Sequence, residues 1–246
     1  MHFRLPKPLH GWRQFAGEVG IIVLGVLIAL GFGQIVELWQ WHQNVATARQ
    51  EMANELAGAA EQGAERVAIE DCLRDRIGKL AAKLNASDGR WLADAMPAPP
   101  GENHSMARVY GAPLRGWSTD SWDTAKSTGV LDHMHHEEVA SYSAAFGEIA
   151  AIRDFQNEEL PLESKLSFLG NDQQFDNISR VGALETLGQL DTLNAAISGL
   201  SDLLINQVEN LHLQVDHSAS AKVLQTMLAQ QRKFRGRCVK TVQIQF

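Results

Sequence analysis

Aromatic residues are scarce in this 246-residue chain, which has two tyrosines, six tryptophans and nine phenylalanines. Runs of β-branched residues are rarer still. Strands draw on both, and with Ala, Leu, Gln and Glu dominant the composition favours helix. Proline is absent from Gln34 through Leu84, and glycine occurs there only at 58, 63 and 78, so nothing in that stretch forces a helix to break. Cations are outnumbered, 22 against 29 acidic residues, for a net charge of −7. Only three basic and two acidic residues precede residue 42. The acidic excess therefore falls on the remainder, which makes it a poor partner for nucleic acid or an anionic lipid surface.

Motifs that carry chemistry are missing as well. No glycine-rich phosphate loop follows a strand pattern, and there is no Gly-x-Ser-x-Gly and no Ser-x-x-Lys set in a credible context. The carboxylate pairs Glu137-Glu138 and Glu158-Glu159 are adjacent in sequence and would face apart on a helix. The sequons at Asn85, Asn103 and Asn177 matter only in a eukaryotic secretory setting. No catalytic, cofactor-binding or metal-binding residue is assigned, no cofactor is expected, and the chain does not read as an enzyme.

What the chain does have is an apolar run, Val19–Gly33, fifteen residues without a polar side chain. Extended from Phe15 to Val36 it makes a helix of 22 residues, about 33 Å at about 1.5 Å per residue, matching a hydrocarbon core of about 30 Å. Glu18 and Gln34 fall near its two ends, within reach of headgroups. Trp12 precedes it, and Trp39 and Trp41 follow, where interfacial aromatics belong. Arg4, Lys7 and Arg13 lie before the run and only Arg49 within roughly 20 residues after it, which places the N-terminus in the cytoplasm. The predicted layout is a cytoplasmic tail 1–14, a transmembrane anchor 15–38 and a periplasmic domain 39–246, in a single pass through a bacterial inner membrane. The rival is a cleaved signal peptide with a site at Ala29-Leu-Gly31. Against cleavage, apolar character continues through Ile35, Val36 and Leu38 and the helical pattern runs on. Gly25, Ala29 and Gly33 share one face at i, i+4 and i+8, the spacing that lets membrane helices approach closely. They are the candidate contact face for a homodimer or a partner membrane protein. The other reading is the ordinary abundance of glycine in membrane helices.

The stretch Gly17-Glu-Val-Gly-Ile-Ile-Val-Leu-Gly-Val-Leu-Ile-Ala-Leu30 resembles the opening of a family of uncharacterised bacterial single-span membrane proteins with a domain of unknown function. Trp122-Asp-Thr-Ala-Lys-Ser-Thr-Gly129, followed by Tyr142, is similar to a second feature of that family. The resemblance implies a topology, an anchor leading into a helical extracytoplasmic region, and no activity.

The two cysteines, Cys72 and Cys238, lie in or near helical patterns. In an oxidising periplasm they are expected to pair as a disulfide; the alternative is two buried thiols. The closed loop of about 166 residues corresponds to roughly 4–5 kcal/mol in a chain-entropy model. A redox-active pair is not expected without Cys-x-x-Cys.

Periodicity then predicts the helices. Val45, Met52, Leu56, Ala60, Val67, Leu73, Ile77, Leu80 and Leu84 mark one long stem continuing the anchor, with an interruption possible at Gly58–Gly63 and close helix contact at 57–60. A proline-rich loop, 85–116, reads as a long crossover that could also bind, with a short helix at 90–95 possible. A helix starts at Ser118 or Thr119 and ends at Gly129, bracketed by Trp117 and Trp122, which read as core anchors rather than ligand platforms. A helix from about His135 to Glu159 stops at an elbow at Pro161, and Leu162, Leu166 and Leu169 form a short one ended by Gly170-Asn-Asp172. Leu190, Leu193, Ile197, Leu200, Leu204, Leu211 and Val215 stripe a helix over 183–215, and a last helix spans 219–235. Val239, Val242, Ile244 and Phe246 suit a terminal strand with no partner to pair it. The expected fold is all-α, an antiparallel helical bundle on the stem.

Asp132-His133-Met-His135-His136-Glu137-Glu138 is the densest group of possible metal ligands. Its spacing is poor for one site, because ligands three or four apart share a helix face and these do not. It reads instead as a solvated helix start with Asp132 as N-cap. Three functions stay open: a non-enzymatic interaction or scaffold role, a ligand-sensing bundle acting through a partner protein, and a metal-dependent enzyme built on this cluster or on the proline-rich loop.

Overall fold

A computed structural model describes residues 12–96 and 108–244. Arg4 and Lys7 of the expected tail, Pro97, Pro99, Pro100 and Asn103 of the expected loop, and Phe246 lie outside the described residues. The chain divides into two compact units, Met1–Thr47 and Ala48–Phe246. Helix α1, Trp12–Ala86, belongs to both.

In the first unit α1 is one stretch long and apolar enough to cross a membrane. Every residue from Phe15 to Val36 is exposed except the half-exposed Gly31; Ile21 and, just beyond, Leu38 show 74% and 70% of their surface. Leaving these side chains in water is unfavourable, since burial of a large apolar side chain is worth about 1.5–3 kcal/mol.

The second unit is an all-α bundle. α1 passes Gly58 and Gly63 without a break. α2 is Asp120–Ser127, α3 His136–Lys165, α4 Asn177–Leu211 and α5 His217–Arg235. Most of the expected stripe is core: Met52, Leu56, Ala60, Leu73, Leu80 and Leu84 are fully buried, Phe146, Ile149, Ile152, Leu190 and Leu204 from α3 and α4 are buried as well, and Val67 is half-buried. A Cβ on Gly63 would come within 3.3 Å of the Ser201 Cβ, so α1 and α4 approach closely there, and Ala59, Ala60 and Ala64 are buried beside it. α4 runs antiparallel to α1: Gln50 reaches Gln214 O, whereas Asn194 reaches Glu70 O. α3 runs in the same sense as α1, with Arg49 on Glu138 and Arg66 on Glu159. The crossover between α1 and α3 makes that possible, because it returns the chain along the bundle.

Several boundaries differ from expectation. α3 does not stop at Glu159; it runs through Pro161 to Lys165. Pro161 and Asn157 are exposed, so the carbonyl that loses its helical donor faces water, which limits the usual cost. No separate helix covers 162–169; a 3-10 turn at Ser167–Gly170 ends the segment. α4 starts at Asn177 rather than 183, because the Asp176 carboxylate accepts the Ser179 N–H at 2.8 Å and caps it. Residues 90–95 are not helical: Arg90–Trp91 (β1) pairs antiparallel with Gln173–Gln174 (β2). Residues 239–244 form no strand. Asp132 is not an N-cap. It sits in a 3-10 turn, Val130–His133, and His135 takes the cap position of α3.

Candidate functional sites

The chain from Arg108 to Thr119 has no regular structure, yet Val109, Tyr110, Gly111, Ala112, Pro113, Trp117 and Thr119 are buried. A buried segment without a ladder or helix must find partners for its backbone elsewhere. Here charged and amide side chains supply them. Arg76 Nε donates to Val109 O at 2.7 Å. Arg108 Nη2 donates to Ala112 O, and Arg235 Nη2 to Gly111 O. Glu163 Oε1 accepts the Gly111 N–H at 2.8 Å. Gln156 brackets Arg115, accepting its N–H at 3.1 Å and donating to its carbonyl at 2.9 Å, while also accepting the Trp117 indole N–H at 3.1 Å.

Those side chains are held in turn by ion pairs. Arg66 and Glu159 are 1% and 2% exposed and meet at 2.9 Å, and the Tyr110 hydroxyl donates to the same Glu159 Oε1 at 2.9 Å. Arg108 forks onto Glu163 and Arg115 onto Glu65. Gln231 from α5 adds a bond to Glu65 at 2.9 Å. Burial works against the Arg66 cation, but the Glu159 carboxylate and Tyr110 outweigh it and hold its pKa above the ordinary value. Burial also pushes the Tyr110 hydroxyl well up, so it stays a donor. Arg235 has no carboxylate partner among the described residues; burial and the Arg66 charge bring it down to about 10, leaving it charged at neutral pH. The ion pairs and amide bonds of this polar centre fasten the buried segment between α1, α3 and α5, with the Arg66 Nε left without a hydrogen-bond partner among the described residues.

Outside it, the expected site residues fall as follows. Cys72 and Cys238 are brought together, sulfurs 2.09 Å apart and Cα atoms 5.2 Å apart. The tail there lies on α1: Lys240 N–H donates to Ala68 O at 2.8 Å, Lys240 Nζ meets Asp71 at 2.9 Å, and Val239 is buried. Gly25, Ala29 and Gly33 are exposed, and a Cβ on either glycine would meet nothing within 4 Å. The histidine cluster does not converge: no group of three potential metal ligands occurs among the described residues, and Glu138 is engaged by Arg49. Trp117 is a core residue, whereas Trp122 is half-exposed, stacked on Phe146 at 5.5 Å with Lys126 above it.

A cavity of about 690 Å³ opens where α3 ends and α4 begins, lined by Lys165, Phe168, Gln174, Phe175, Asp176 and Ser179 among others. Sequence reasoning missed it. Two phenylalanines flanking the Gly170-Asn-Asp172 stop were the available signal, because aromatics in a connection need something to cover.

No family model, no curated protein and no solved structure matches the chain.

Proposed function

We propose that this chain is a single-span protein of a bacterial inner membrane, N-terminus in the cytoplasm, whose helical domain stands on the periplasmic side as a non-enzymatic interaction or scaffold module. The carrying observation is the exposed apolar stretch Phe15–Val36, preceded by three basic residues in the sequence. A disulfide-distance cysteine pair fits an oxidising compartment. The resemblance of residues 17–30 to the anchors of bacterial single-span proteins supports the same topology.

Within the bilayer, the face Gly25, Ala29, Gly33 contacts a second helix, either from another copy or from a partner membrane protein. Small residues permit close backbone approach, which drives association where lipid offers no hydrophobic gain. The test is photo-crosslinking of the intact protein in its native membrane, without reductant. A defined homodimer or partner adduct is expected, lost in Gly25→Ile and Ala29→Ile and retained when lipid-exposed Leu24 is replaced by Ile. A monomer that captures nothing overturns the contact.

A further inference from the structure

The cavity between α3 and α4 is a built recess with chemistry of three kinds at its wall. Its volume of about 690 Å³ lies inside the range of roughly 300–1,000 Å³ typical of small-ligand sites. Leu166 and Ala183 are buried in its floor, and Phe168 and Phe175 are half-buried against it, an apolar surface for apolar groups. One cation and one anion, Lys165 and Asp176, line the recess. The Lys165 ammonium makes no hydrogen bond or ion pair among the described residues. Asp176 caps α4, its Oδ1 accepting the Ser179 N–H, and the Ser179 hydroxyl and Ile178 N–H also favour its charged form; the two oxygens of a carboxylate can accept from further donors. The side-chain amide of Gln174 has no partner among the described residues, while the neighbouring Gln173 is tied to Phe168 O.

An anionic amphiphile would engage Lys165 and leave Asp176 unused, and a cationic one would do the reverse. A zwitterion uses both. A single amino acid would leave much of the volume unfilled, and it carries no internal amide for Gln174. We propose that this cavity binds a short apolar peptide with free termini: the carboxylate on Lys165, the ammonium on Asp176, a peptide group on Gln174, and the side chains on Phe168 and Phe175. The recess and its groups lie wholly within the second unit, so the inference stands apart from any contact made by the membrane span.

The test is calorimetric titration of the full chain in lipid nanodiscs with tri-leucine, N-acetyl-tri-leucine and tri-leucine amide. Saturable one-to-one binding of tri-leucine is expected, weakened roughly tenfold or more by blocking either end, since each block removes a charge-assisted contact. Lys165→Met is expected to erase the difference between acid and amide. Asp176→Asn is expected to erase the difference between free and acetylated peptide, and asparagine keeps the helix cap. Gly182→Trp, placed where a Cβ meets nothing within 4 Å, is expected to block the cavity with the helical circular dichroism unchanged. Absence of saturable heat up to millimolar peptide, indifference to blocked termini, or undiminished binding to folded Gly182→Trp would each overturn the proposal.

Discussion

The Glu163 carboxylate accepts the backbone N–H of Gly111 at 2.8 Å while Arg108 forks onto its two oxygens. One buried acid thereby holds both a main-chain donor and the cation that satisfies Ala112 O. The bundle is organised around this arrangement. The chain between α1 and α3 comes back along the bundle with Val109–Pro113 buried, and a buried irregular segment must have its amides satisfied by other groups, here side chains. Buried ion pairs cost desolvation that their attraction only partly returns, so their density here reflects what they position.

Removing one member of the innermost pair leaves an uncompensated charge. Arg66→Met is expected to destabilise the folded domain by about 3–5 kcal/mol. Adding Glu159→Gln, which retains an acceptor for Tyr110, is expected to recover a large part of that loss. Urea unfolding of both variants checks it; a double variant less stable than the single one contradicts the account.

α2 is capped from another helix. Thr119, at its N-cap position, makes no side-chain cap bond. Glu55 of α1 instead accepts the N–H groups of Asp120 and Ser121 and both the Ser118 and Ser121 hydroxyls. Glu55→Ala is expected to cost about 1–2 kcal/mol, the scale of a lost cap, and to speed amide exchange at 120–123 without affecting α4. Unchanged exchange there contradicts the assignment.

The Cys72–Cys238 closure spans 166 positions. Reduction, or Cys72→Ser with Cys238→Ser, is expected to lower stability by roughly 2–5 kcal/mol and to free the tail around Lys240 from Ala68. Alkylation of the non-reduced, denatured protein is expected to find no free thiol; two labelled cysteines contradict the pairing.

Much of the bundle was legible. The apolar spacing from Met52 to Leu84 and from Leu190 to Leu204 marks the buried faces, because amphipathic helices write their packing at a period of 3.6. The left-handed glycine after α2, Gly129 at φ +73, was legible as a stop. Pro161 misled, since a proline whose orphaned carbonyl faces water does not end a helix. The interior of the crossover was not legible at all. Nothing local in sequence marks Arg66, Glu65, Glu159 and Glu163 as buried, because the segment that covers them lies roughly fifty residues away.

Acid is expected to weaken the domain through Asp94. Burial favours its neutral form, but hydrogen bonds from Lys83 and Arg76 outweigh that and hold its carboxyl below the ordinary value. Its contribution is therefore present above the unfolded carboxylate pKa of about 3.9 and is lost as pH falls through the lower folded value. Asp94→Asn is expected to be less stable at pH 7 and to lose less on acidification; thermal melts from pH 7 to pH 2 decide it. An equal acid loss in both proteins contradicts the role.

The topology itself is tested most directly by reporters fused after Phe246 in a bacterial host. An alkaline phosphatase fusion is expected to be active and a green fluorescent protein fusion dark, with the full-length chain retained in the membrane fraction. A fluorescent fusion with inactive phosphatase would put the bundle in the cytoplasm and contradict the account; a chain shortened after Gly31 and released from the membrane would contradict the anchor.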